Sequence, residues 1–321
     1  MGILCAAAEH GESEAGGIHA QEKLFLRDSR LRAGVGYGAN ARAQGEITLL
    51  APRNMQPTMD KIVANFQTKT GDKVKVTYQA PKLIRQLVAK GQPLDVSLLT
   101  PPYPGAIASG TITLTSATPV ASFLVAVAVA KGAPKPDIST PAAVKKALLA
   151  AKSVGYEDPE FSIDGEGPSQ AIDNLGIAGQ IAAKIRVCAG AANPYSPNSV
   201  CYDASGAAGP RRATLTQDCA PNSNCFQAPA AGTGGSVFSI QKQLARGDLA
   251  LGMLFLSDML PNKEKYDIVG VLPRKICPPA PVVGFLSTHA SDPEAAKALL
   301  QYLASPDAQA LFKADGYEPH S

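Results

Sequence analysis

Between Glu46 and Leu99 the chain alternates apolar strand-like runs with amphipathic segments, and this order limits the possible folds more than any other feature. Glu46 to Ala51 reads as a buried strand and is followed by the loop Pro52 to Gln56. From Pro57, a residue suited to a first helical turn, Met59, Ile62, Val63 and Phe66 recur at helical spacing, and Gly71 closes the segment. Lys73 to Tyr78 alternates polar and apolar residues as a half-buried strand does. Pro81 then leads into a helix with Leu83, Ile84, Leu87 and Val88 on one face, ended by Gly91. Asp95 to Leu99 is a third strand. Strand, helix, strand, helix, strand within about 55 residues predicts a parallel sheet with crossover helices.

A second unit of the same kind is expected over 123–269. Ser122 to Ala130 reads as one long strand. Thr140 caps a helix entered through Pro141, and Ser153 to Tyr156 is a short strand. This strand runs into a glycine-rich loop, Asp164 to Ser169, with a helix after it carrying Ala171, Ile172 and Leu175. Later, Gly234 to Ser236 leads into a helix with Val237, Ile240 and Leu244, closed by Gly247, and the strand Leu249 to Phe255 follows. Strands at 268–272 and 282–286 come next. Two terminal helices, opened by Asp292-Pro293 and Ser305-Pro306, complete the chain.

Composition excludes several classes. The net charge is +3 over 321 residues and the basic residues are dispersed, so no nucleic-acid partner is expected. No apolar run reaches the ~18–20 residues that span a bilayer. Residues 1–44 differ from the rest. They end in the small-x-small triplet Ala41, Arg42, Ala43 but lack the apolar stretch of a secretory signal. Two readings remain open, a disordered leader or a mis-called start that hides a signal peptide.

Four of the six cysteines (Cys188, Cys201, Cys219, Cys225) lie in a stretch rich in Pro, Gly, Ala, Ser and Asn. A long loop of this kind needs staples, and local closure of Cys188 with Cys201 and Cys219 with Cys225 is the simplest pairing. Disulfides would imply an oxidising compartment. Zinc is the rival, but no C-x2-C spacing or nearby His supports it, and no metal or cofactor is expected.

The recurring element is a strand, a short loop and a helix N-terminus, at Asn54–Pro57, Ala80–Lys82, Gly167–Ser169 and Gly234–Ser236. Helix N-termini carry unpaired N–H groups and partial positive charge, so several aimed at one point hold an anion without basic side chains. The candidate ligand-binding residues are Arg53, Asn54, Met55, Ala80, Pro81, Lys82, Gly167, Pro168, Ser169, Gln170, Gly235, Ser236 and Phe255. Arg53 and Lys82 are the basic residues best placed to meet an anion. Catalytic signatures are missing: no G-x-S-x-G, H-E-x-x-H or phosphate-loop lysine occurs. Asp164 and Asp258 fall in or near cleft loops and read as helix caps or hinge partners. Cys277 reads as a small buried apolar residue.

The order of several short motifs resembles the molybdate-type periplasmic solute-binding proteins of ABC importers. They are Gly45–Ala51 with Met55–Pro57, Leu83–Leu87 with Gly91–Val96, Lys131–Thr140, Ala147–Ser153, Leu175–Ile177, Arg246–Asp248 and Ala295–Leu300 with Leu303–Ala308 and Gly316–Pro319. The resemblance implies an α/β, two-lobed type 2 periplasmic-binding fold with mostly parallel sheets flanked by helices. The lobes would be 45–122 with 270–319, and 123–269 carrying the cysteine-rich insertion 188–232. It also implies a non-catalytic monomer outside the cytoplasm, with a small anion and a membrane permease as partners. The ligand hydroxyls of molybdate binders fall on Asn54, on Ala80 or Pro81, and on Phe255, so three are absent. A different anion, such as a small organic carboxylate, fits as well. An enzyme on the same scaffold, or a binding-dead protein that senses a partner through the cysteine loop, are the alternatives.

Overall fold

Why the apolar runs become strands is visible in the first unit of the computed structural model, which describes residues 46–159, 162–188, 201–203 and 240–320. Strand β1 (Glu46–Pro52) buries Ile47, Leu49, Leu50 and Ala51. Helix α1 (Gln56–Thr70) covers it with Met59, Ile62, Val63 and Phe66, and Gly71 ends the helix at φ 80°, a backbone conformation that favours glycine. There follow β2 (Lys73–Gln79), α2 (Pro81–Ala89), β3 (Val96–Leu99), α3 (Pro104–Ala108) and β4 (Ile112–Phe123).

The chain then enters a second sheet. Its elements are β5 (Val125–Ala130), α4 (Pro141–Ala150), β6 (Val154–Glu157), α5 (Ile163–Asn174), α6 (Ala178–Ile181), β7 (Ile185–Cys188) and β8 (Cys201–Asp203). After these come α7 (Ile240–Arg246), β9 (Leu251–Phe255), α8 (Leu256–Met259) and β10 (Tyr266–Val271). The return to the first sheet is made by β11 (Ala280–Ser287), with α9 (Pro293–Leu303), α10 (Pro306–Ala314) and β12 (Glu318–Pro319) last. Asp292 and Ser305 cap α9 and α10 by accepting from Ala295 and Ala308, as their positions before proline suggested.

The two six-stranded sheets run β12-β4-β11-β3-β1-β2 and β10-β5-β9-β6-β7-β8. Both are mixed, which corrects the expectation of mostly parallel sheets. β1 is parallel to β2 and β3, and β6 to β7 and β9, while the other pairings are antiparallel. The cause lies in the crossovers. β4 leaves its sheet for the other and β11 comes back, so these strands meet their neighbours head to tail rather than through a helical return. Ser122 to Ala130 is likewise two strands, not one. β4 and β5 are separated by Leu124, where the chain changes sheets.

A second correction concerns α5. The expected glycine-rich loop, Asp164 to Ser169, is the first half of the helix. Ser162 caps it by accepting from the Asp164 amide, and Asp164 and Glu166 occupy its first turn. The glycines serve close packing. A Cβ at Gly165 would stand 1.8 Å from the Glu157 carbonyl oxygen, and one at Gly167 2.7 Å from Val125.

Asp95 ties three segments of the first sheet together. Its carboxylate accepts from the amide and hydroxyl of Thr48 (2.7 and 2.6 Å) and from those of Ser291 (2.5 and 2.8 Å). Cys277 is a buried free thiol. The expected disulfides fall on cysteines whose side chains lie outside the described residues. Cys188 and Cys201 are opposite one another in the register of β7 and β8. Residues 1–44, Cys219, Cys225 and most of the insertion lie outside the described residues.

Candidate functional site

The loops that follow β1, β6 and β9 bring together three side chains from distant parts of the sequence. Asn54 sits in a single 3-10 turn, Arg53–Met55, between β1 and α1. Asp164 is on the first turn of α5, directly after β6, and Asp258 is on the first turn of α8, directly after β9. The Asn54 amide donates to Asp164 Oδ1 at 2.8 Å, joining residues 110 apart and one sheet to the other. Asp258 lies near enough to both Asp164 and Asn54 for each to influence its ionisation. The Tyr317 hydroxyl donates to the Asn54 carbonyl at 2.9 Å and so fixes the turn from the opposite side.

Electrostatics at this junction follow from burial. Burial pushes the Asp164 carboxyl up to about 6, helped by the nearby Glu166 charge and opposed by hydrogen bonds from Asp258, Asn54 and Ser162. Asp258 is held well above the usual carboxylate range, first by burial and then by the charge and hydrogen bond of Asp164. Two carboxyls this close cannot both ionise cheaply, so they titrate as a pair. Asp258 Oδ2 is buried and accepts no hydrogen bond.

A second link joins the sheets beside this pair. Lys82, on the first turn of α2, donates to the Pro159 carbonyl and pairs with Glu166 of α5 at 3.2 Å. Ala80 precedes α2 without a side-chain cap, so the first-turn donors of that helix have no intrahelical partner. At the crossover, Phe123 and Phe255 stack with centroids 4.3 Å apart and an interplanar angle of 14°. Tyr317 packs on Phe123 at 5.3 Å. The Asn174 amide donates to the Ile276 carbonyl at 2.8 Å, next to the returning segment.

The sequence-derived candidates divide accordingly. Asn54 and Lys82 reach across to the other sheet, with Arg53 beside Asn54 and with Ala80 and Pro81 at the start of α2. Met55 and Phe255 are fully buried and make core and crossover packing. Gly167, Pro168, Ser169 and Gln170 lie inside α5, past its first turn. The N-terminus that points to the junction is at Ser162–Asp164. Gly235 and Ser236 lie outside the described residues.

The sequence marks Asp164 and Asp258 as helix caps or hinge partners rather than ligand contacts and does not mark Tyr317. The available signal was an acid in the first turn after each of two strands. What it could not supply was their proximity, which depends on both sheets. Among the described residues no group of three or more His, Cys, Asp or Glu side chains is arranged to hold a metal. No helix among them is long and apolar enough to cross a membrane.

Known proteins share this architecture. Over 280 residues, 85% of this chain and 87% of the relative, the sequence is 27% identical to an aconitate isomerase from Pseudomonas sp.. The substrate-binding domain of a candidate molybdenum ABC transporter from Clostridium difficile superposes with a TM-score of 0.62 at 14% identity, covering 86% of this chain and 100% of that one. The periplasmic molybdate-binding protein of Azotobacter vinelandii does so with 0.56 at 15% identity, again over 86% and 100%. The fold is therefore the two-lobed type 2 fold of periplasmic solute-binding proteins. The family model for bacterial extracellular solute-binding proteins matches residues 47–318, so the chain belongs to that family.

Proposed function

We infer that this protein is the extracytoplasmic receptor of an ABC importer and that it closes its two lobes on a small organic carboxylate. The observation that carries the reading is the meeting of Asn54, Asp164 and Asp258 from both sheets, flanked by Lys82 and the open start of α2. Ligands of α/β folds sit beyond the carboxyl ends of the strands, where these loops lie. An organic acid is favoured over molybdate for two reasons. The hydroxyl positions of molybdate binders carry Asn54, Ala80 or Pro81, and Phe255 here, and the related Pseudomonas protein is named for a tricarboxylic acid. The receptor works as a monomer and hands its ligand to a membrane permease. Calorimetric titration with trans-aconitate tests this, with micromolar or tighter binding and no turnover expected. Failure to bind any small carboxylate contradicts it.

A second reading is an isomerase of a small unsaturated polycarboxylate. It is favoured by the name of the 27% identical relative and by a buried carboxyl pair that can hold or release a proton near neutral pH. Following trans-aconitate with catalytic amounts of protein separates the two. Conversion to the cis isomer supports the enzyme, and stoichiometric binding without conversion supports the receptor.

A further inference from the structure

A receptor for anions has an unexpected feature at its junction, since the groups contributed by α5 and α8 are carboxyls. Lys82, on the first turn of α2, is paired with Glu166. An ionised aspartate offers acceptors only and repels an anion, so such a pair helps only if a proton lies between it and the ligand. Asp164 is nine-tenths buried and already takes the Asn54 amide at 2.8 Å. Asp258 is partly covered as a residue, but its Oδ2 is fully buried and receives no donor. That oxygen needs a proton, either one held by the pair or one brought by the ligand.

We propose that the Asp164–Asp258 pair is the specificity determinant of this site, meeting the ligand through a shared proton so that it takes weak-acid polycarboxylates and turns sulfate away. The inference rests on the carboxylate-receptor reading above and names the ligand class within it. A polycarboxylate's last carboxyl is an acid of the same kind as the aspartyl pair, so a proton can be held between them. Sulfate, the anion of a strong acid, has far lower proton affinity and shares the pair's proton much more weakly. No bond to carbon forms or breaks, and the proton comes from solvent or from the ligand's own carboxyl.

Other groups around the pair do not replace this role. Glu157 at the end of β6 and Glu166 on α5 add negative charge. Tyr266 and Tyr317 are neutral phenols whose ionisation is suppressed by burial, and Asn54 is neutral. Proton affinity of the pair should therefore rise when an anion enters, and binding should take up a proton.

The test is calorimetry with trans-aconitate and with sulfate at about pH 6 to about pH 8, in buffers of different ionisation enthalpy, on the wild type, Asp258→Asn and Asp164→Asn. The expected result for the wild type is uptake of about one proton, trans-aconitate affinity falling toward ~10-fold per pH unit, and sulfate weaker by at least ~100-fold. Either Asn variant, checked for folding by its melting curve, should lose the proton uptake and bind sulfate better, because an amide donates permanently. The proposal is overturned if trans-aconitate binds with no proton uptake and the variants keep the wild-type profile, or if sulfate binds as tightly. In both cases the receptor reading stands. Binding of neither anion overturns the receptor reading and the proposal with it.

Discussion

Asn54 is the side chain on which the junction of the two sheets turns. Replacing it by Ala removes the donor to Asp164 and leaves that buried oxygen to be satisfied by a proton instead. We expect carboxylate affinity to fall about tenfold or more, with stability lowered by no more than ~1–2 kcal/mol, read by calorimetry and thermal melting. The pH dependence of stability has two limbs. Asp164 and Asp258 have native pKa values above their unfolded ones, so they bind protons more tightly when folded. The contribution of Asp164 is fully present below about pH 4 and is lost as pH rises through about 6, and that of Asp258 has the same sign. Asp95 behaves oppositely. Burial alone would raise its pKa, but the hydrogen bonds from Thr48 and Ser291 outweigh this and lower it. Its contribution is present above its unfolded value and is lost as pH falls through the native one. Urea denaturation across pH should therefore show a maximum in the weakly acidic range, and Asp258→Asn should flatten the decline on its neutral side. The presence of both acids could be read from the sequence, but their sharing of a proton could not, because that property belongs to two loops 94 residues apart.

At the scale of elements, the strongly periodic segments were legible because each satisfies its own local rules. The Met59, Ile62, Val63 and Phe66 stripe fixes α1, and Thr140, Asp292 and Ser305 cap the helices that their prolines announce. Misreadings arose where tertiary packing overrides local preference. Gly165, Gly167 and Pro168 look like a loop, yet they lie in α5 because the helix must approach Glu157 and Val125 too closely for side chains. Gly165→Ala should therefore destabilise the protein by about 2 kcal/mol or more despite alanine's better helix propensity, since its Cβ meets backbone. Gly167→Ala should cost less, because the Val125 side chain can move. Denaturant midpoints of the two variants check the order. A larger loss in Gly167→Ala would contradict the packing account.

For the whole molecule, the alternation of strands and helices indicated two α/β units, but not that both sheets would be mixed. That property comes from β4 and β11, whose direction is set by the passage between sheets rather than by any local pattern. The cysteine-bearing stretch has no assigned part in holding ligand. Removing residues 204–232 should leave carboxylate affinity within about twofold by calorimetry, whereas a large loss would show that the stretch helps to hold the ligand. The most direct test of the central claim is a crystal structure grown with trans-aconitate. The account predicts the tricarboxylate between the sheets, within hydrogen-bond distance of Asn54 and the Asp164–Asp258 pair. Ligand bound on an outer face, with that junction unchanged, would contradict it.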